Sequence, residues 1–402
     1  MNKYYSLPIV LVLPFLSFFI NLSAQVVPSS GDLSYLLNPT ADIHFNHKVI
    51  NTSNKKWVVL NINTANELVF DSLVFAYAFT KNLDNPIDDF KVVSLKNYEL
   101  YKTQNNKMYA FEPGNSSNKF LILRTLNLTT SNTYTYIINL EKNANFFLTK
   151  TEITIPILQG YVSKGSSIKI AKLVGVNSTY DVRFYATKFP VALPPMANIK
   201  SNSIFNGGDS TITTKGENKL PTHKQGVYAI AEQGSEDVNS FFRINNSSYP
   251  QLSTVNEIIE ASIYLFTKKE KEKLDSSENP KKDYDAFWLE NTNSPERAGK
   301  MISAYFSRVK ESNTLFSSYK EGWKTDMGMI YIIFGPPNKV FRSNGSLEWI
   351  YKKTYEMPSL IFTFNLIDKK WDTEHFELER NMKYQNTWFR AIDLWRKGRK
   401  SL

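Results

Sequence analysis

The sequence predicts a β-rich N-terminal part, one or two β-sandwich units, followed by an α+β C-terminal domain with helices packed on a small, mainly antiparallel sheet. Three observations carry this. Up to about residue 245, short runs rich in Val, Ile, Phe, Tyr and Thr alternate with Asn/Ser/Gly clusters, the pattern of strands and turns. At about 250 the apolar period changes and two Thr-x-x-Glu capping boxes open helices. After residue 345 strand-like runs return, and a last helical pattern closes the chain.

Residues 26–157 read as a first β-sandwich. Its strands are expected at 56–63, 69–80, 120–126, 133–140 and 151–157, with turns such as Pro113 to Asn118 between them. Residues 158–249 read as a second, smaller sandwich-like unit. Its strands are expected at 166–174, 181–188, 226–232 and 241–244, with Pro190 to Pro195 as a stiff connection. Residues 250–402 form the α+β domain. Thr254 with Glu257, and Thr267 with Glu270, cap short helices. Pro280 to Asn291 is another helix. Ser294-Pro295 is an N-cap followed by proline at the first helical position. From there Ala298, Met301, Ile302, Tyr305, Phe306 and Val309 make one apolar face. Strands are expected at 329–334, 348–351, 360–366 and 374–378, and a helix at 386–397.

The first residues read as a secretory signal. Lys3 is the basic n-region, Pro8 to Ile20 the apolar run, and Asn21 to Gln25 the small-residue cleavage region. That run is shorter than the ~20 residues a membrane span needs. Residues 1–25 are therefore expected to be removed. The chain contains no cysteine, so disulfides, thiolate metal sites, a cysteine nucleophile and the acylated cysteine of a lipoprotein are all excluded. The net charge is +10, from 48 basic and 38 acidic side chains. In an exported protein this points away from nucleic acid, towards a solvated surface or peripheral contact with an anionic outer-membrane surface.

No catalytic or cofactor motif stands out: there is no P-loop, dinucleotide fingerprint or nucleophile elbow. His44 and His47 lie three apart on a strand, so they point to opposite faces and suit no metal. The informative stretch is Gly322-Trp323-Lys324-Thr325-Asp326, then Gly328, Gly335-Pro336-Pro337 and Trp349. Each has a structural reading. Gly322 supplies a positive φ, Trp323 a buried ring, Thr325 and Asp326 turn caps, and Gly335-Pro336 a stop. If Asp326 only caps a turn, an amide in its place is expected to cost little. The functional reading makes Trp323 and Asp326 part of a binding cleft.

These residues, in this order, resemble the signature of the GWxTD domain family, bacterial cell-envelope proteins that share it near the C-terminus. The resemblance spans about residues 250–400. It implies a compartment and an architecture, and no chemistry, cofactor or metal.

The closing helix places Trp388, Ile392 and Trp395 on one face, with Arg390, Arg396 and Lys397 around it. That pattern fits an interaction helix at a membrane or partner surface. It equally fits a helix packed on its own domain with snorkelling arginines. The leading expectation is a non-enzymatic envelope protein that binds a protein partner. One rival is a carbohydrate- or peptidoglycan-binding module, with aromatic platforms drawn from the 22 tyrosines and 27 phenylalanines. The other is a hydrolase using Asp326 with Glu348.

Overall fold

The computed structural model describes residues 31–399, apart from 53–54, 115–116, 174–177, 187–188, 198–207, 236–237, 239 and 368–371. The signal-like segment lies outside the described residues. The first unit comprises β1 (Ile43–Asn51), β2 (Lys56–Thr64), the short helix α1 (Glu67–Asp71), β3 (Leu73–Thr80), β4 (Lys91–Val93), β5 (Glu99–Lys102), β6 (Asn106–Phe111), β7 (Phe120–Asn127), β8 (Thr133–Asn139) and β9 (Asn143–Ala144). They form two sheets, β5-β6-β2-β1-β9 and β4-β3-β7-β8. Phe45, Leu60 and Ile62 from one sheet meet Leu121, Leu123, Tyr136 and Ile138 from the other. This is a sandwich closed by side chains of alternating direction.

A smaller pair of sheets follows. β10 (Phe147–Lys150) pairs with β12 (Ile168–Ala171). β11 (Tyr161–Ser163), β13 (Thr179–Tyr185), β14 (Ser210–Lys215), β15 (Gly226–Glu232) and β16 (Ser240–Asn245) make a sheet in the order β11-β16-β15-β13-β14. Leu148, Ile168 and Ile170 pack on Tyr180, Ile230 and Phe242 between the two sheets.

The C-terminal unit opens with α2 (Val255–Ala261), α3 (Lys268–Asp275), α4 (Pro280–Thr292) and α5 (Pro295–Phe316). Both capping boxes form, at Thr254/Glu257 and Thr267/Glu270, and Ser294 caps α5 with Pro295 in its first turn. Helix α6 (Asp326–Phe334) follows, then β17 (Lys339–Arg342), β18 (Ser346–Tyr351), β19 (Leu360–Leu366) and β20 (Phe376–Leu378), and finally α7 (Gln385–Arg396). The four strands pair antiparallel in chain order. No helix among the described residues is long and apolar enough to cross a membrane.

Three expected strands differ. Residues 69–71 belong to α1, because the Asn66 side chain accepts from Val69 N–H (3.3 Å) and starts a helical turn before β3. Residues 151–157 leave the sheet after β10 and fold back, with Ile157 N–H bonded to Leu148 O (2.8 Å). Pro156, which has no N–H to give a ladder, makes only an isolated bridge there. Residues 329–334 are helical, within α6. The sheet still has four strands because Lys339–Arg342, which the pattern did not single out, takes the expected place.

The largest core is shared between units. Phe120, Ile122 and Ile137, on the outer face of the first sandwich, join Leu33 and Leu37 against the helices and sheet of the C-terminal unit. Strands β7 and β8 are thus covered on both faces, which explains their almost unbroken burial. A polar clasp seals the same junction. Asp372 pairs with Lys48 of β1 and accepts from Ser240 of β16 (2.8 Å). Glu374 pairs with Arg342 of β17 and accepts from Asn139 of β8 (2.8 Å). His47 Nδ1 lies 2.7 Å from the Tyr136 hydroxyl beside them. Burial alone would raise the Glu374 carboxyl, but Arg342 and the Asn139 amide hold it below its ordinary range.

Burial pushes the His47 imidazole down to about 4, with Arg342 and Lys48 adding to the effect and Glu374 opposing it. Above pH 6.5 the ring is neutral in both the folded and unfolded states. As pH falls from about 6.5 towards 4, the unfolded chain binds a proton that the folded chain refuses. Stability should therefore drop by up to about 3 kcal/mol over that window. Denaturant unfolding at stepped pH should show this fall, and His47→Gln should flatten it.

Candidate functional site

The signature lies where α5, α6 and β20 converge. The chain leaves α5, makes a short 3-10 turn at Gly322–Lys324 and enters α6. Gly322 sits against the end of α5 so closely that a Cβ there would lie 1.9 Å from Ser312 O and 2.7 Å from Asn313 Cα. Gly328, one turn into α6, would place a Cβ 1.9 Å from Gly322 O. Both glycines are thus required by backbone approach. The positive φ expected at Gly322 is found instead at Gly335 (φ 87), the C-cap of α6. Pro336, exposed, and Pro337, buried, follow it.

Thr325 is the N-cap. Its hydroxyl accepts from Gly328 N–H (2.9 Å) and donates to Gly322 O (2.7 Å). Trp323 is buried. Its N–H donates to Asn313 Oδ1 (3.1 Å), and its carbonyl accepts from the Tyr264 hydroxyl (2.9 Å). Asp326 is also buried, and both its oxygens are engaged. Oδ1 meets Arg380 (2.5 Å), while Oδ2 accepts from Leu378 N–H (2.8 Å) and Arg380 (3.1 Å). Arg380 continues to Leu193 O (3.3 Å), and Lys324 O accepts from Ala192 N–H (2.9 Å). The proline-bounded connection 190–195 is thereby strapped over the corner.

Charged neighbours complete the site. Glu321 bridges Arg243 of β16 (2.7 Å) and the buried Lys324 (3.1 Å). Burial opposes its ionisation, but these two cations hold its carboxyl below the ordinary range. Lys320 is buried next to them. Burial pushes its amine down, with Asp326 and Glu377 pulling the other way.

Sequence reasoning missed Arg380, Arg243, Glu321, Lys320 and the buried Lys324. Ser312 and Asn313 left a readable trace, since they continue the apolar stripe of α5 at three and four residues after Val309. Polar residues on a buried stripe signal a hydrogen-bonding job, and Asn313 also donates to Pro250 O (2.9 Å).

Trp349 is fully buried, with its ring 5.7 Å from Phe316 and 4.7 Å from Phe364. Its neighbour Glu348 points to the other face of the sheet and is exposed. Asp326 and Glu348 therefore do not converge. In α7, Trp388, Ile392 and Trp395 are buried within the domain core. Trp395 donates its indole N–H to Ile333 O (3.0 Å), and Arg308 lies over the ring (5.0 Å) while donating to Ile332 O (3.2 Å). These two side chains satisfy end carbonyls of α6. Arg396 forms a two-pronged pair with Glu270 (2.7 and 2.8 Å), which holds that carboxyl at about 2. Among the described residues, the exposed aromatic rings Tyr98, Tyr101, Tyr355 and Phe389 are divided between the first unit and the C-terminal unit.

Residues 226–397 match the family model described as the GWxTD domain. This part of the chain is a GWxTD domain. No curated protein and no solved structure was found to match it. The matched stretch begins at β15, ahead of the first helix. The structure gives a reason: Arg243 of β16 reaches Glu321 and the Tyr319 carbonyl (2.9 Å), so this strand helps build the corner.

Asp326→Asn should be costly, against the expectation for a simple turn cap. It leaves the Arg380 guanidinium buried without its anion, and about 3–5 kcal/mol of stability should go. Gly328→Ala should be at least as damaging, because the clash is with backbone, whereas Gly345→Ala, in open space, should be nearly neutral. Denaturant melts of the three variants test this ranking. Deleting residues 386–402 removes two buried tryptophans worth ~3–5 kcal/mol each on truncation. The product should aggregate or lose cooperative unfolding. A soluble, cooperatively folding truncation would contradict the packing described.

Proposed function

We propose that this chain is an exported, non-enzymatic component of the cell envelope that binds or scaffolds another envelope protein at the periplasmic side of the outer membrane. The observation that carries the reading is the state of Asp326. The signature's one carboxylate is buried, with both oxygens committed to Arg380 and the Leu378 N–H. A group so engaged supports a frame and is a poor general acid or base. The GWxTD corner then serves to hold β15, β16, the 190–195 strap and the C-terminal sheet together, and recognition falls to the outer surface. The signal-like start and the likeness of residues 226–397 to the GWxTD domain support the compartment. The basic surface is compatible with peripheral contact with anionic lipid.

The test is crosslinking in intact cells, followed by capture of the protein from envelopes and mass spectrometry. The expected result is a chain lacking residues 1–25, recovered with a reproducible envelope partner. An intact Met1 on soluble cytoplasmic protein, with no envelope partner, would sink the reading.

A further inference from the structure

We propose that one end of the C-terminal unit, made by the β18–β19 loop and the start of α7, is a docking face for an anionic lipid surface. The loop closes a tight turn, in which Thr354 N–H donates to Met357 O (2.9 Å) and Met357 N–H donates to the Thr354 hydroxyl (3.0 Å). Tyr355 stands at its tip, wholly exposed. The Tyr384 hydroxyl donates to Ile361 O (2.8 Å), and its ring stacks on Phe362 (4.8 Å). Phe334 meets both Tyr351, where the loop begins, and Trp388 of α7 (ring centroids 5.8 and 6.2 Å). These contacts bring the 3-10 turn Met382–Tyr384 and the start of α7 to the loop end of the sheet. Met382 is 63% exposed, Phe389 55% and Ile361 47%. Seven large apolar side chains after residue 250 are exposed among the described residues, and four of them, Tyr355, Ile361, Met382 and Phe389, belong to this end.

The charges select the occupant. Lys339 and Ile361 flank Ile350 in one cross-strand row of the sheet. Lys352 and Lys353 open the loop, and Lys383 and Arg390 directly follow Met382 and Phe389. All five cations are exposed, and none forms an ion pair among the described residues. In the helices of the same unit, by contrast, Lys268, Lys271, Lys281, Lys300 and Lys397 each pair with a carboxylate one turn away. Glu348 and Glu379 lie beside Thr363, one row further from the loop, and Glu356 follows Tyr355. The face thus sets five cations against three acids. Single apolar side chains among unpaired cations suit an anionic bilayer, which admits each side chain at its interface and answers the cations across the whole face. A tyrosine at the tip fits as well, because its ring favours the headgroup level. An acidic protein would answer the cations and leave the four apolar side chains unmet. Trp388, Ile392 and Trp395 hold the opposite side of α7 in the core, so the face is presented on a fixed support. The envelope location, taken from the functional reading above, puts such a lipid surface within reach.

The experiment is co-sedimentation of the purified exported protein with vesicles of phosphatidylglycerol in phosphatidylcholine, over a salt series. The parent should bind, release as salt rises, and bind little to phosphatidylcholine alone. The pair Tyr355→Ser/Phe389→Ser and the pair Lys383→Glu/Arg390→Glu should each weaken binding about tenfold. Leu128→Ser, at an exposed apolar side chain of the first unit, should bind like the parent. All the substituted side chains are exposed, so denaturant melts should match the parent's. A parent that ignores the anionic vesicles at low salt, or binding that neither pair alters, overturns the proposal. A parent that binds soluble polyglutamate and not the vesicles would assign the face to an acidic protein, and overturns it equally. Capture of an envelope partner by a chain that ignores vesicles would leave the partner-binding reading standing. Vesicle binding with no partner captured would sink only that reading.

Discussion

The structure depends on one close backbone contact. The carbonyl of Gly322 lies against the Cα of Gly328, and Gly322 itself lies against the last turns of α5. No side chain fits in either place. This sets the distance between α5 and α6, and the buried faces of both helices follow from it. Thr325 locks the corner by bonding to both glycines. Asp326 then fixes the start of α6 to β20 and Arg380, and so orients the helix on the sheet. Trp395 and Arg308 satisfy the other end. A helix buried all round needs this treatment, because water cannot reach its unpaired backbone groups.

The corner is also an organiser of the neighbouring unit. Arg243 reaches it from β16, and the connection 190–195 lies over it with three of its backbone carbonyls or N–H groups bonded to signature or β20-end residues. Further out, Asp372 and Glu374 draw Lys48 of β1, Arg342 of β17, the Ser240 hydroxyl of β16 and the Asn139 amide into one junction. The outer face of the first sandwich shares its core with the C-terminal helices. Disturbing Trp323 or Asp326 therefore acts on a core that reaches into the first sandwich. The buried ion pairs add register more than net stability, since desolvation offsets much of their attraction.

This arrangement separates frame from surface. Apart from the exposed Pro336, the residues that make the family signature recognisable are interior. Features free to meet another molecule lie elsewhere, on strand edges and the basic exterior. A signature of this kind reports how a domain is built, and its function has to be sought in surfaces that the signature does not contain.

Local sequence was enough for features whose physics is local. The capping boxes at Thr254 and Thr267, the Ser294-Pro295 start of α5, its apolar stripe, and the strands at 226–232 and 360–366 were readable because each is set by neighbours a few residues away. The β-rich to α+β order followed from the same periodicities. Residues 329–334 were not readable as a helix. Met-Ile-Tyr-Ile-Ile-Phe is apolar on every side, and a helix buried all round has no period to reveal it. Only the bracket of Thr325 as N-cap and Gly335 as C-cap marked its ends. Likewise, nothing in the chain announces that Asp326 meets Arg380, fifty-four residues on, or that Lys324 is buried beside Glu321. Those pairings exist because the fold brings distant backbone segments together, and at Gly322 and Gly328 it could do so only where no side chain stood between them.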